Sequence, residues 1–149
     1  MRARTLSNDL IERFAHIVGE ANALTCAEDQ AGYLHEWRDR YTGKSPVVLR
    51  PGSTEEVSRI LALAHAENIA IVPQGGNTGL VGGQIPSAEG GEIVLSLGRL
   101  RAVRDIDVAG GTMIVEAGVT LLAAQNAAND AGRIFPLSLA SEGSAQIGG

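Results

Sequence analysis

The stretch Pro73-Gln74-Gly75-Gly76-Asn77-Thr78-Gly79-Leu80-Val81-Gly82-Gly83 constrains this chain more than any other part of it. It follows directly on the apolar run Ile69–Val72, so a strand delivers the backbone into a segment where neither helix nor sheet can persist. The chain holds 19 glycines in 149 residues, and 15 of them fall at Gly75 or later. No three-residue period runs through them, which excludes collagen, and a hydrophobic fraction of 44% excludes a disordered chain. The second half therefore needs tight turns or close backbone approaches. Without Cβ atoms, backbone N–H groups can reach an anion, and consecutive N–H groups form a phosphate-binding nest. Asn77 and Thr78 add side-chain donors at the same place. A long turn built on left-handed glycines is the plainer alternative.

Two familiar phosphate loops fail against these residues. A dinucleotide fingerprint needs G-x-G-x-x-G opening a helix. Counted from Gly75, the third position is Asn77, and Pro86 with Gly90-Gly91 argues against a following helix. A Walker A loop needs G-x-x-x-x-G-K-[ST]. Gly43-Lys44-Ser45 supplies its end, but Arg38 stands at the first glycine position and Pro46 opens a strand where the helix should start.

The remaining composition narrows the class. The length suits one domain, or two small packed subdomains, with a real core. Aromatic residues are only 3%, so that core rests on Ala, Leu, Ile and Val. With 17 acidic against 12 basic residues, a general nucleic-acid or anionic-membrane surface is not expected. Cys26 is the single cysteine, so no intrachain disulfide forms and a reducing compartment, the cytoplasm, is expected. The start MRARTLSNDLIERF is basic at first but reaches Asp9 and Glu12 without a long apolar run. It reads as neither a signal peptide nor a transmembrane anchor. His16, His35 and His65 show no metal-ligand spacing, so no metal site is expected.

Periodicity predicts an α+β chain. Ser7 caps a first helix with Leu10, Phe14 and Ile17 on one face and Asp9, Arg13, His16 and Glu20 on another. Residues 27–43 read as polar and irregular, although Tyr33, Trp37 and Tyr41 at four-residue steps are compatible with one packed helical face. Pro46 to Leu49 reads as a buried strand. Ser53 with Glu56 makes a capping box for a helix carrying Val57, Ile60, Leu61 and Ala64, which ends near Asn68. Ile69 to Val72 reads as a second strand, completing a parallel βαβ unit. Three further strand-like runs, Ile93–Leu97, Ala102–Val108 and Met113–Ala117, are separated by short glycine-containing breaks that favour antiparallel pairing. Thr120 opens a helix that stops at Gly132. The expected division is a lead-in over residues 1–45 and a domain over 46–149.

An ordered series of segments resembles one family. It comprises Val48-Leu49-Arg50-Pro51, Thr54-Glu55-Glu56-Val57, Ile71 to Gly83, Val115-Glu116-Ala117-Gly118-Val119, and Pro136 to Gly149. Together they are similar to flavoproteins with a PCMH-type FAD-binding fold, and most of all to FAD-linked D-2-hydroxyacid dehydrogenases acting on D-2-hydroxyglutarate or D-lactate. The series covers roughly Arg40 to the end. Ser138 and Ala140 depart from the pattern, which often has an acidic residue and a glycine there.

The resemblance implies a small parallel βαβ subdomain followed by a largely antiparallel one, with FAD extended between them. It implies that Gly75, Gly76, Asn77, Thr78 and Gly79 hold the FAD pyrophosphate through backbone N–H groups, with the Asn77 and Thr78 side chains assisting, and that Pro73, Gln74 and Leu80 bind the cofactor beside them. Leu139, Ala140, Ser141, Gly143, Ser144, Ile147, Gly148 and Gly149 would approach the flavin and ribityl side, and Gly118 would allow close approach. Some members tether FAD to a histidine in this loop; Asn77 and Thr78 fill those positions here, so non-covalent FAD is expected. The resemblance further implies oxidation of a D-2-hydroxy acid by hydride transfer to FAD. The substrate domain that completes such enzymes lies past Gly149 in the family pattern, so the expectation is a FAD-binding domain incomplete at its C-terminus, inactive alone and requiring its missing half. The alternative is a non-catalytic fragment or a cofactor-free module that binds another protein.

Overall fold

Ser7 starts the first helix as its capping role requires: its hydroxyl accepts from the Leu10 N–H at 3.3 Å. This is a computed structural model and it describes residues 6–149; the basic start at Arg2 and Arg4 lies outside the described residues. Helix α1 (Asn8–Val18) buries Leu10, Phe14 and Val18, a four-residue stripe. Ile17 is half-buried and not central to that face, because the stripe follows i, i+4, i+8 and Val18 takes the inner place.

A short strand β1 (Ala23–Leu24) precedes helix α2 (Ala27–Leu34). The helix corrects the irregular reading of residues 27–43. It has no side-chain cap at Cys26 and buries only Gln30, so neither a start signal nor an apolar stripe marks it. Because α2 stops at Leu34, Tyr33, Trp37 and Tyr41 do not share a helical face.

Strand β2 (Val48–Leu49) leads into helix α3 (Thr54–Ala66), where Ser53 Oγ accepts from Glu56 N–H at 3.2 Å. The Glu56 carboxylate reaches back to the Gly52 N–H at 2.7 Å. At its other end Asn68 adopts φ 52° and Ile69 N–H bonds Ala64 O at 2.8 Å, a Schellman stop that turns the chain into strand β3 (Ile71–Gln74). Ile60 and Ala64 are buried, whereas Leu61 faces solvent.

Strand β4 (Ile93–Ser96) then enters the middle of the sheet, whose order is β1-β2-β4-β3. It runs parallel to both neighbours, with Val48 opposite Val94 and Ile71 opposite Ile93. The expected antiparallel pairing of Ile93–Leu97 with the runs after it is thereby corrected. Short breaks separate only the later runs; the stretch from Gly75 to Glu92 is long enough for a parallel crossover. All four β4 residues are buried, as a central parallel strand requires. Leu49, Ile93 and Leu95 join Leu10, Phe14 and Ile60 in one core beneath α1 and α3.

The antiparallel expectation holds for strands β5 (Val103–Asp107) and β6 (Thr112–Val115), which form a separate two-stranded sheet. Helix α4 (Leu121–Asp130) is capped by Thr120, whose hydroxyl accepts from Ala123 N–H at 3.2 Å. It stops at Gly132, with φ 69°.

Candidate functional site

The glycine loop leaves the carboxyl end of β3, at the edge where β2 and β4 also end. Clefts beyond the carboxyl ends of parallel strands are where open α/β sheets take ligands. Three amide side chains brace the loop. Gln74 is fully buried, and its Nε2 donates to Tyr33 O at 2.9 Å and Gln84 O at 2.8 Å. Gln84 Nε2 donates to Gly79 O at 2.8 Å. Asn77, with φ 54°, donates from Nδ2 to His35 O at 2.8 Å and Gly32 O at 3.2 Å. Two carbonyl acceptors fix that amide's orientation, and Asn77 Oδ1 is left buried without a partner.

These bonds satisfy carbonyls and leave N–H groups over. Among the described residues, no backbone N–H from Gly76 through Val81 donates to another group of the chain. A left-handed residue among consecutive free N–H groups is the geometry of an anion nest.

A buried ion pair holds the neighbouring segment against the loop. The Glu36 carboxylate, fully buried, accepts from Arg38 Nε at 2.6 Å and from the Arg38 and Arg40 N–H groups at 3.1 and 3.3 Å. Burial alone would raise its pKa, but these hydrogen bonds outweigh burial and hold it below the ordinary 4.5. Arg38 in turn donates from its other guanidinium nitrogen to Leu80 O on the loop.

The final segment lies along the turn before α4. Ile147 N–H bonds Val119 O and Gly148 N–H bonds Ala117 O, each at 2.9 Å. Its backbone meets the glycine loop so closely that a Cβ on Gly76 would stand 1.8 Å from Ser144 O. One on Gly118 would stand 2.2 Å from Leu97 O. Gly76 and Gly118 are thus glycines because backbone packs on backbone there.

Two cavities flank the Gly76–Ser144 contact. One, of about 500 Å³, is lined by Trp37, Gly76, Asn77, Thr78, Leu80, Ala140, Ser141 and Ser144. The other, of about 560 Å³, is lined by Gly76, Arg101, Gly118, Thr120, Gly143, Ser144 and Gln146 among others. A smaller opening of about 250 Å³ reaches Pro73, Gly75, Gly79 and Gly149 on the loop's outer side. Most residues expected at the site are therefore brought together. Gln74 instead turns inward, and Leu139, Ile147 and Gly148 border none of these three cavities. Sequence reasoning missed Trp37, Arg101 and Gln146. Gln146 adjoins residues already singled out and has a buried, unpartnered Oε1, while Arg101 carried no signal at all. None of the three cavities is lined by an Asp, Glu, His, Cys or Lys side chain. Their lining is backbone, hydroxyl, amide and apolar groups, with Arg101 as the cation.

The free N–H donors thus lie along the 500 Å³ cavity and meet the 560 Å³ cavity at Gly76. Residues 45–149 match the family described as FAD binding domain. The chain belongs to that FAD-binding family. It is 37% identical over 97% of its length to a putative mitochondrial D-lactate dehydrogenase of Schizosaccharomyces pombe, covering 28% of that protein. It is 42% identical over 82% of its length to a D-2-hydroxyglutarate–pyruvate transhydrogenase of Saccharomyces cerevisiae, covering 24% of it. Among solved structures, an alkyldihydroxyacetonephosphate synthase superposes with a TM-score of 0.85 over 99% of this chain and 29% of that one, at 18% identity. That similarity shows the PCMH-type fold. The chain spans about a quarter of the length of the curated relatives it matches.

Proposed function

We propose that this chain is the cofactor-binding platform of a flavin-dependent oxidoreductase that converts a D-2-hydroxy acid to the 2-oxo acid. The observation that carries the reading is the row of unpartnered N–H groups from Gly76 through Val81, which borders the 500 Å³ cavity and meets the 560 Å³ cavity at Gly76. FAD, when bound, supplies the hydride acceptor. The chain's own residues bind and orient it. Backbone N–H groups of Gly75 to Gly79 and the Thr78 hydroxyl take the pyrophosphate. Asn77 contributes its backbone and its bend, since its Nδ2 is spent on Gly32 and His35. Ala140, Ser141, Gly143 and Ser144 line the flanking cavities, with Gly149 at the outer opening. Attachment is non-covalent at this loop. Residues 46–149 are the FAD-binding domain, and residues 1–45 are a lead-in whose α1 packs on its core and whose Trp37 borders the 500 Å³ cavity.

The substrate class comes from the names of the relatives, D-lactate and D-2-hydroxyglutarate dehydrogenases. Among the described residues no helix is long and apolar enough to cross a membrane. A cytoplasmic location rests on the lone Cys26; the mitochondrial label of the S. pombe relative is the competing address.

Titrating FAD into the purified chain tests the platform. Saturable binding, released as free flavin on denaturation, is the expected result. An unchanged flavin spectrum, for this chain and for any longer product carrying it, ends the assignment. A second reading, a chain without activity of its own, is favoured by cavities lined without an Asp, Glu, His, Cys or Lys side chain. Oxidation of D-lactate or D-2-hydroxyglutarate by these 149 residues with an artificial electron acceptor would contradict it.

A further inference from the structure

Trp37 is 69% exposed, although a tryptophan placed in water forfeits one of the largest burial gains any side chain offers. Its placement is nevertheless tightly held. Glu36, the residue before it, is fully buried and fixed by Arg38 and Arg40. Arg38, the residue after it, is bonded to Leu80 O and lies over the indole, 5.9 Å from the ring centroid. Tyr41 packs so closely on Gly82 that a Cβ there would stand 2.7 Å from the ring. The segment is thus clamped to the glycine loop at two points, and the indole between them forms a wall of the 500 Å³ cavity beside Gly76, Asn77 and Thr78.

We propose that the Trp37 indole is a stacking surface for the planar heteroaromatic ring of a nucleotide whose phosphates lie on Gly76 through Val81. The inference rests on the FAD-binding reading and adds a positioning residue to it. Every nucleotide ring has a π-face, and an exposed indole beside an anion nest meets both halves of such a ligand at once. Adenine and isoalloxazine share this chemistry, so the experiment carries an arm for each.

Trp37 is the chain's single tryptophan, so intrinsic emission reports on it alone. The full chain is titrated with FAD, ADP, FMN and inorganic pyrophosphate, with calorimetry alongside. Emission is expected to change with ADP or FMN and to stay constant with pyrophosphate. Trp37→Ala weakens the responding ligand roughly tenfold and leaves pyrophosphate affinity unchanged, while Trp37→Phe restores most of the loss. The ring whose affinity falls in Trp37→Ala identifies which end of FAD lies here, because a bound flavin also quenches indole emission by energy transfer without contact. Saturable FAD binding with equal affinity in Trp37→Ala overturns the stacking role and leaves the platform standing. Failure of FAD and pyrophosphate alike overturns both. Far-UV circular dichroism checks that Trp37→Ala is folded; if it is not, the emission titration and Trp37→Phe still decide.

Discussion

The chain's two halves are built to different standards of burial. In the parallel sheet, β2 and β4 are wholly buried, and α1 and α3 close over Leu49, Ile93 and Leu95. Beyond Leu100, β5 and β6 expose most of their residues, and Ile134, Leu137, Leu139 and Ile147 lie open. A two-stranded ribbon is marginal by itself. The first half carries its own core, while the second leans on the first through Gly118 against Leu97 and Leu100, Gly149 against Gly75, and the contact of Gly76 with Ser144. The candidate site lies at that seam, where a ligand touches both halves and strengthens the join by mass action.

The largest effect that separates the halves is core truncation. Ile93→Ala should cost about 2–5 kcal/mol in urea unfolding. Ile114→Ala, at a side chain 58% exposed, should stay within about 0.5 kcal/mol. Equal costs would break the comparison. Next comes the seam itself. Gly76→Ala places a methyl 1.8 Å from a carbonyl oxygen and should cost about 1–3 kcal/mol or more, with loss of FAD affinity in a flavin titration. Gly143→Ala, with nothing within 4 Å, should be silent in unfolding to within about 0.5 kcal/mol.

The third test is read as a slope. The Glu36 carboxyl is held below 4.5 in the folded chain, so its stabilisation is complete above that pH and drains away as pH falls through the folded value. Glu36→Gln has no such proton to take up, and its thermal midpoint should fall less steeply below about pH 4.5. A parallel acid limb in both proteins would remove Glu36 from the account. The smallest effect compares two caps: Ser53→Ala and Thr120→Ala should each cost about 1 kcal/mol. If unfolding is one event across both halves, the losses will be similar; a silent Thr120→Ala would show that α4 melts separately.

Local chemistry was readable wherever one residue does the work. Ser7, Ser53 and Thr120 announce helix starts, and Gly132 a stop, because caps are satisfied within a few residues. The glycine loop was legible for the same reason. What escaped was decided at a distance. Nothing inside Ile-Val-Leu-Ser tells β4 to pair with β2 and β3, since a buried run serves a parallel or an antiparallel neighbour equally. Helix α2 had no cap to announce it. Trp37 sat in a four-residue rhythm that pointed to packing, and only the burial of Glu36 shows why it is held in water. Gln74 looked like a loop donor, yet its amide braces the loop from behind.

The insertion of β4 between β2 and β3 also sets an order of events. As the chain leaves the ribosome, β2, α3 and β3 emerge first, and the two strands have no hydrogen bonds to one another. The sheet stays open along its middle until Ile93–Ser96 arrives, and the entire glycine loop must be made beforehand. Closing that long-range contact is slow, and the unpaired apolar strands are exposed to other chains while they wait. The loop is therefore a toll on folding speed as well as a binding element.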